Sequence, residues 1–189
     1  MVKWIHIADV HLGASPDAGD AYSKVRPQEL WDTFAEVIDI CEREQTDLLL
    51  IAGDLFHRQP LKKELKEVDY YFSRLSRTKV VLIAGNHDFL KQDSYYRSFQ
   101  WSSNVYPLFD KEPECVIFED LDVAVTGFSY ESREILTPLM EGSVRKETQS
   151  MRFFWFTAEM KNIFRYRKVC WKKADSTILP WGISTSRSR

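Results

Sequence analysis

The chain has 189 residues, 26 Lys and Arg against 28 Asp and Glu, and a formal net charge of −2. That length suits one sizeable domain rather than two, and 14% aromatic with 29% charged residues excludes a disordered chain. No stretch reaches the roughly 20 apolar residues that a membrane span needs, so no membrane association is expected.

The first element is the apolar run Trp4-Ile5-His6-Ile7-Ala8, a strand with no signal-peptide pattern before it. His6 alternates with its neighbours there and reads as a packed core histidine. The run ends in Asp9-Val10-His11-Leu12-Gly13. Pro27 suits the first turn of a helix, over which Leu30, Phe34, Val37, Ile38 and Cys41 recur at helical spacing. Asp47 to Ala52 is a strand of the fully buried type, ending in Gly53-Asp54 with His57 nearby. A second helix is predicted from Leu61 to Ser76, with Leu65, Val68, Tyr71, Phe72 and Leu75 on one face. Lys79 to Ala84 is a third buried strand, ending in Gly85-Asn86-His87-Asp88. Continuous apolar strands separated by helices imply a largely parallel sheet covered on both faces, an α/β architecture. Tyr95, Tyr96, Phe99 and Trp101 could stack bases, but core or subunit packing is the preferred reading. Further on, Cys115 to Phe118 and Val123 to Thr126 flank an acidic turn and predict an antiparallel hairpin.

Each of the three apolar strands ends in oxygen and nitrogen donors: Asp9 and His11, then Asp54 and His57, then Asn86, His87 and Asp88. Carboxyl ends of parallel strands are where open α/β sheets gather ligands, so three adjacent ends would converge on one point. Any one motif is weak, since Gly-Asn-His-Asp also suits an ordinary turn. Three in order, each after a buried strand, point to a metal site. Asp, His and Asn donors suit borderline divalent metals such as manganese, iron or zinc. A carboxylate can bridge two such ions roughly 3.5–4 Å apart, which together activate water for attack on phosphorus.

These motifs resemble the first three of the calcineurin-like metallophosphoesterases. Ile5 to Gly13 and Ala52 to Phe56 are similar to the SbcD branch of bacterial DNA-repair exonucleases, a likeness covering roughly residues 1–130. The resemblance implies the N-terminal part of a metallophosphoesterase β-sandwich flanked by helices. It implies two divalent ions, manganese first among candidates, with Asp9 and His11 on one, Asp54 bridging and Asn86 on the other. His87 would protonate the leaving oxygen or stabilise the transition state, with Asp88 orienting it. An acidic residue is common in that branch where His57 stands here. DNA would be the substrate, an SbcC-like ATPase the partner. The alternatives are a phosphoesterase acting on a nucleotide, phosphomonoester or phosphoprotein, and a non-catalytic interaction module. Three cysteines without metal-type spacing read as reduced thiols and suggest the cytoplasm.

The resemblance also implies three further histidines, in a His-Gly and a Gly-His-x-His motif. This chain has four histidines in all, and none follows His87. The composition breaks at the same end. Residues 1–150 hold 17 basic against 26 acidic residues, and residues 151–189 hold 9 against 2 together with three of the six Trp. Read from the third base of each codon, Phe156 to Met160 is compatible with His-Gly-Gly-Asp, and Trp181 to Thr185 with Gly-His-Ile-His. Residues 1–148 are therefore expected to form an incomplete metallophosphoesterase domain. Residues 149–189 are expected to be out of frame and poorly folded, after a one-base frameshift near residues 147–151. A basic, aromatic nucleic-acid-binding tail is the other reading.

Overall fold

Leu48–Ala52 has no polar residue in it, and a strand of that kind must be covered on both faces. It is β2, the second strand of a four-stranded parallel sheet ordered β1-β2-β3-β4. Its neighbours are β1 (Trp4–Ile7) and β3 (Lys79–Ile83), and β3 also pairs with β4 (Val105–Pro107). The computed structural model describes residues 2–15, 19–133 and 151–154. Helix α1 (Asp20–Arg43) connects β1 to β2, and α2 (Lys62–Ser73) connects β2 to β3.

Side chains alternate across β2 and β3, which divides the core in two. Leu49, Ile51, Val80 and Leu82 pack with Phe34 and Ile38 of α1 and Leu65, Val68 and Phe72 of α2. Leu48, Leu50, Val81 and Ile83 face the other way, against Phe118, Val123 and Val125. Those residues belong to a second sheet, in which β5 (Glu114–Phe118) runs antiparallel to β6 (Val123–Gly127). The acidic turn between them is a 3-10 turn, Glu119–Leu121, followed by Asp122 at φ 52°. The layers are therefore helices, parallel sheet, second sheet, as expected for the N-terminal part of a β-sandwich flanked by helices. Each buried Leu, Ile, Val or Phe contributes roughly 1.5–3 kcal/mol, against ~0–1 kcal/mol for a surface ion pair such as Arg74–Asp39. Packing on the two faces of the sheet decides the arrangement.

Several expectations need correction. Helix α1 begins at Asp20, so Pro27 lies inside it rather than in its first turn. Proline cannot donate to the carbonyl four residues earlier, here that of Ser23. The Ser15 hydroxyl donates to that carbonyl instead, at 3.0 Å, and so fastens the β1–α1 loop to the helix. His6 is exposed rather than packed, because β1 is the edge strand among the described residues. Helix α2 ends at Ser73, after which Arg74 and Leu75 tighten to i−3 hydrogen bonds. Residues Met151–Phe154, whose text shows no strand alternation, form β7, parallel to β6. Pairing along an open edge uses backbone groups alone, so it does not require that alternation. The rest of the segment 149–189, including both shifted-frame motifs, lies outside the described residues. No helix among the described residues is long and apolar enough to cross a membrane.

Tyr96 is buried and packs on Phe56, Trp101 and Phe109, and Phe99 packs edge-on to Trp101. The core reading holds for these three. Tyr95, in the short helix α3 (Tyr95–Ser98), is exposed.

Candidate metal centre

Beyond the ends of β1 and β2 the chain does not separate. His11 N–H donates to Asp54 O at 2.9 Å, Leu12 N–H to Leu55 O at 2.9 Å, and His57 N–H to Leu12 O at 3.1 Å. This continues the parallel pairing into the loops, with a bridge between Leu12 and Phe56. It sets Asp9 and His11 beside Asp54 and His57. One donor atom each from Asp9, His11 and Asp54 lies within 4.8 Å of the other two. His11 Nε2 is 4.0 Å from Asp54 Oδ2.

The backbone conformation at this point is unusual. Asp9, His11 and Asp54 have φ of 52°, 53° and 48°. Left-handed backbone costs a non-glycine residue roughly 1–3 kcal/mol, and persists where surrounding structure imposes it. Here the loop-to-loop hydrogen bonds impose it.

The third strand end is seated through Asp54. The Asp54 Oδ1 accepts the His87 N–H at 2.8 Å. A Cβ at Gly85 would come within 2.1 Å of that same oxygen, so only glycine lets the loop approach this closely. The Asn86 amide lies against the Asp54 carboxylate. With its NH2 turned inward it donates to Oδ2 at 2.6 Å and to Oδ1 at 3.2 Å. With its oxygen turned inward, carboxylate and amide oxygens oppose each other, an arrangement that a shared cation satisfies.

Asp88 does not orient His87 as expected. It is fully buried and accepts hydrogen bonds from Gly85 N–H (2.7 Å), Phe56 N–H (3.1 Å) and Tyr96 OH (2.8 Å). Burial pushes its carboxyl up to about 6, those three donors pull it back, and nearby Asp54 adds to the rise. Asp88 thus locks the loops after β2 and β3 to α3. The His87 ring is held by the carbonyl of His57, 3.1 Å from Nδ1. A carbonyl only accepts, so Nδ1 carries the proton of this contact and Nε2 is not engaged by it.

His57, whose role the sequence left open, stands among these groups. Its Nδ1 is 3.4 Å from His11 Nδ1, and its ring stacks on that of His87 with centroids 5.1 Å apart. Its imidazole is held below the ordinary histidine range by burial first, then by His87 and His11 beside it. A groove of about 500 Å³ is lined by Asp9, His11, His57 and His87 and also by Tyr22 and Arg26 of α1. Neither α1 residue was foreseen; no motif marks them, and only the helix beginning at Asp20 brings them here.

The fit for metal is good at one position and partial at the next. Asp9, His11 and Asp54 supply two carboxylates and an imidazole. Asp54 and Asn86 could begin a second position, where the histidines nearby are those already described, His11, His57 and His87.

A family profile described as calcineurin-like phosphoesterase matches residues 2–176. The chain is 34% identical over 150 residues to an uncharacterized metallophosphoesterase, YhaO, of Bacillus subtilis, covering 71% of this chain and 35% of that protein. It is 32% identical over 99 residues to the DNA double-strand break repair protein Mre11 of Saccharolobus solfataricus, covering 50% of this chain and 25% of that one. With Mre11 of Sulfolobus acidocaldarius the identity is 28% over 159 residues, 78% of this chain and 39% of the relative. The chain thus spans well under half the length of each of these proteins.

Proposed function

Because the chain belongs to the calcineurin-like phosphoesterase family, whose members are hydrolases that use divalent metals, we propose that it is the N-terminal, metal-binding part of a DNA phosphodiesterase of the Mre11 and SbcD type. The observation that carries this reading is the meeting of Asp9, His11, Asp54, Asn86 and His87 at three adjacent strand ends. In it, Asp9 and His11 would hold the first ion, Asn86 would hold the second, and Asp54 would serve both. Manganese suits this mixed oxygen and nitrogen set. Bound there, a pair of divalent ions would supply a clamp on the phosphodiester and an activated water.

The chain's own residues do the rest. His87, with Nδ1 engaged by the His57 carbonyl, presents Nε2 for proton exchange with the leaving oxygen or for contact with the transition-state phosphoryl group. Asp88 acts as a positioning residue, through the backbone it holds. The groove past Tyr22 and Arg26 favours a substrate that continues beyond the scissile phosphate, as a polynucleotide does and a phosphomonoester does not. Arg26 offers a cation for a neighbouring phosphate, and Tyr22 a ring on which a base can stack. An SbcC-like ATPase partner and a cytoplasmic location belong to the same reading.

The four histidines of this chain leave the second ion without its imidazoles, so hydrolysis is expected to be weak. The same shortage supports a second reading, a non-catalytic module on the same fold. A nuclease assay with manganese on end-labelled DNA tests both, using this chain and a version carrying the third-base frame after residue 150. Weak cleavage that the second version restores supports the proposal. Family-like rates from the chain as it stands would overturn the impairment, and hydrolysis of p-nitrophenyl phosphate without DNA cleavage would move the substrate. Stop codons in the third-base frame of the gene would end the frameshift explanation.

A further inference from the structure

We propose that His11, His57 and His87, which line the groove, form a second cation site, selective for zinc over manganese, that shares His11 with the oxygen-rich set around Asp54. One nitrogen from each ring lies within 4.8 Å of the other two. The three ring centroids are 4.7, 5.1 and 5.4 Å apart. The closest approach is 3.4 Å, between His11 Nδ1 and His57 Nδ1. That is long for a hydrogen bond, but it matches the edge of a tetrahedron, about 3.4 Å, when metal–nitrogen bonds are about 2.0–2.1 Å.

His11 belongs to both sets through different ring atoms, and because a neutral imidazole has a single lone-pair nitrogen it serves one set at a time. Its Nε2 faces Asp54 at 4.0 Å, while its Nδ1 faces His57. The third ring is placed by the backbone. The His57 N–H is held by Leu12, and the His57 carbonyl holds His87. The three rings therefore converge through main-chain contacts together with the Asp54 carboxylate, which accepts the His87 N–H. A donor set of three neutral imidazoles favours zinc, nickel or copper, whereas manganese and magnesium prefer oxygen. Three protein ligands also leave a fourth position for water or a phosphate oxygen.

The site itself stands on this geometry alone. Its consequence rests on the function proposed above: an ion coordinated by His87 takes the nitrogen needed for proton exchange, so zinc would inhibit hydrolysis.

Cobalt(II), titrated into the full chain and followed by visible absorption, tests the site without requiring any turnover. The expected result is one equivalent of tetrahedral-type cobalt that zinc displaces and manganese does not. His57→Ala, at an exposed side chain, should weaken that binding by at least the roughly 10–100-fold that loss of even an outer-shell partner costs. Asp9→Asn should leave it within about twofold of the original. No tetrahedral band in the original chain, no effect of His57→Ala, or an equal loss in both variants would each overturn the proposal. Failure of the version carrying the third-base frame to cleave DNA would count against the nuclease reading and leave this site untouched.

Discussion

Gly85 shows how tightly single residues define this centre. A methyl group there would meet Asp54 Oδ1 at 2.1 Å and the Asp54 nitrogen at 2.4 Å, both well inside contact distance. One atom is backbone and the other is a candidate ligand, so neither can yield without moving the site. Gly85→Ala is expected to cost about 1–3 kcal/mol of stability, as overpacking does, and to weaken manganese binding by at least tenfold. Denaturant unfolding and calorimetric metal titration would measure the two; unchanged metal affinity would show that Asp54 is not seated by this loop. At this scale the sequence disclosed which residues the three strand ends bring together but not how they are joined. Asp9, His11, Asp54, Asn86 and His87 were legible because each follows an apolar strand. The partners of Asp88 were not, since they come from Phe56 and Tyr96, 32 and 8 residues away. The role of His57 depends on the pairing of two loops that no local pattern encodes.

The elements themselves were mostly legible, and α1 marks where legibility ended. Buried strands and amphipathic helices announce themselves by periodicity, and β2, β3, α2 and the β5–β6 hairpin lie close to where it puts them. Proline was the misleading signal. Its usual place is a first turn, yet here the helix runs seven residues further toward the N-terminus, with Ser15 Oγ supplying the donor that Pro27 lacks. Ser15→Ala should leave the Ser23 carbonyl without that donor and loosen the helix before Pro27. The expected loss is about 0.5–1.5 kcal/mol, with faster amide exchange in residues 20–26 and little change after residue 30. Exchange that is uniform along α1 would show that the turn before Pro27 stands without the loop. Strand β4 escaped notice because three residues, one of them proline, carry too little pattern.

Across the whole molecule, the two ends of the parallel sheet do different work. The carboxyl end carries the metal candidates, while the opposite end is closed by Asp47. Its carboxylate accepts the Lys3 N–H at 2.8 Å and Arg77 Nε at 2.9 Å, joining the start of β1 to the start of β3. Burial would raise this carboxyl, but the Lys3 N–H, the Arg77 guanidinium and the nearby N-terminus outweigh it and hold it below the usual range. A depressed carboxyl stabilises the fold above its unfolded pKa of about 3.9, and that contribution is lost as pH falls through the lower folded value. Stability should therefore decline between about pH 5 and pH 3, more steeply than in Asp47→Asn, which should itself lose roughly 1–3 kcal/mol at neutral pH. Thermal melts across that range would check it, and parallel pH curves for the two proteins would remove Asp47 from the account.

The left-handed backbone at Asp9, His11 and Asp54 bears on how long the molecule survives, as well as on what it does. Three such residues at one point are a standing cost to the native state, in a fold whose total margin is typically only about 5–15 kcal/mol. An ion held by the same three side chains binds the native form alone, and so offsets that cost by mass action. Metal supply would then help set the fraction of chains open to proteases.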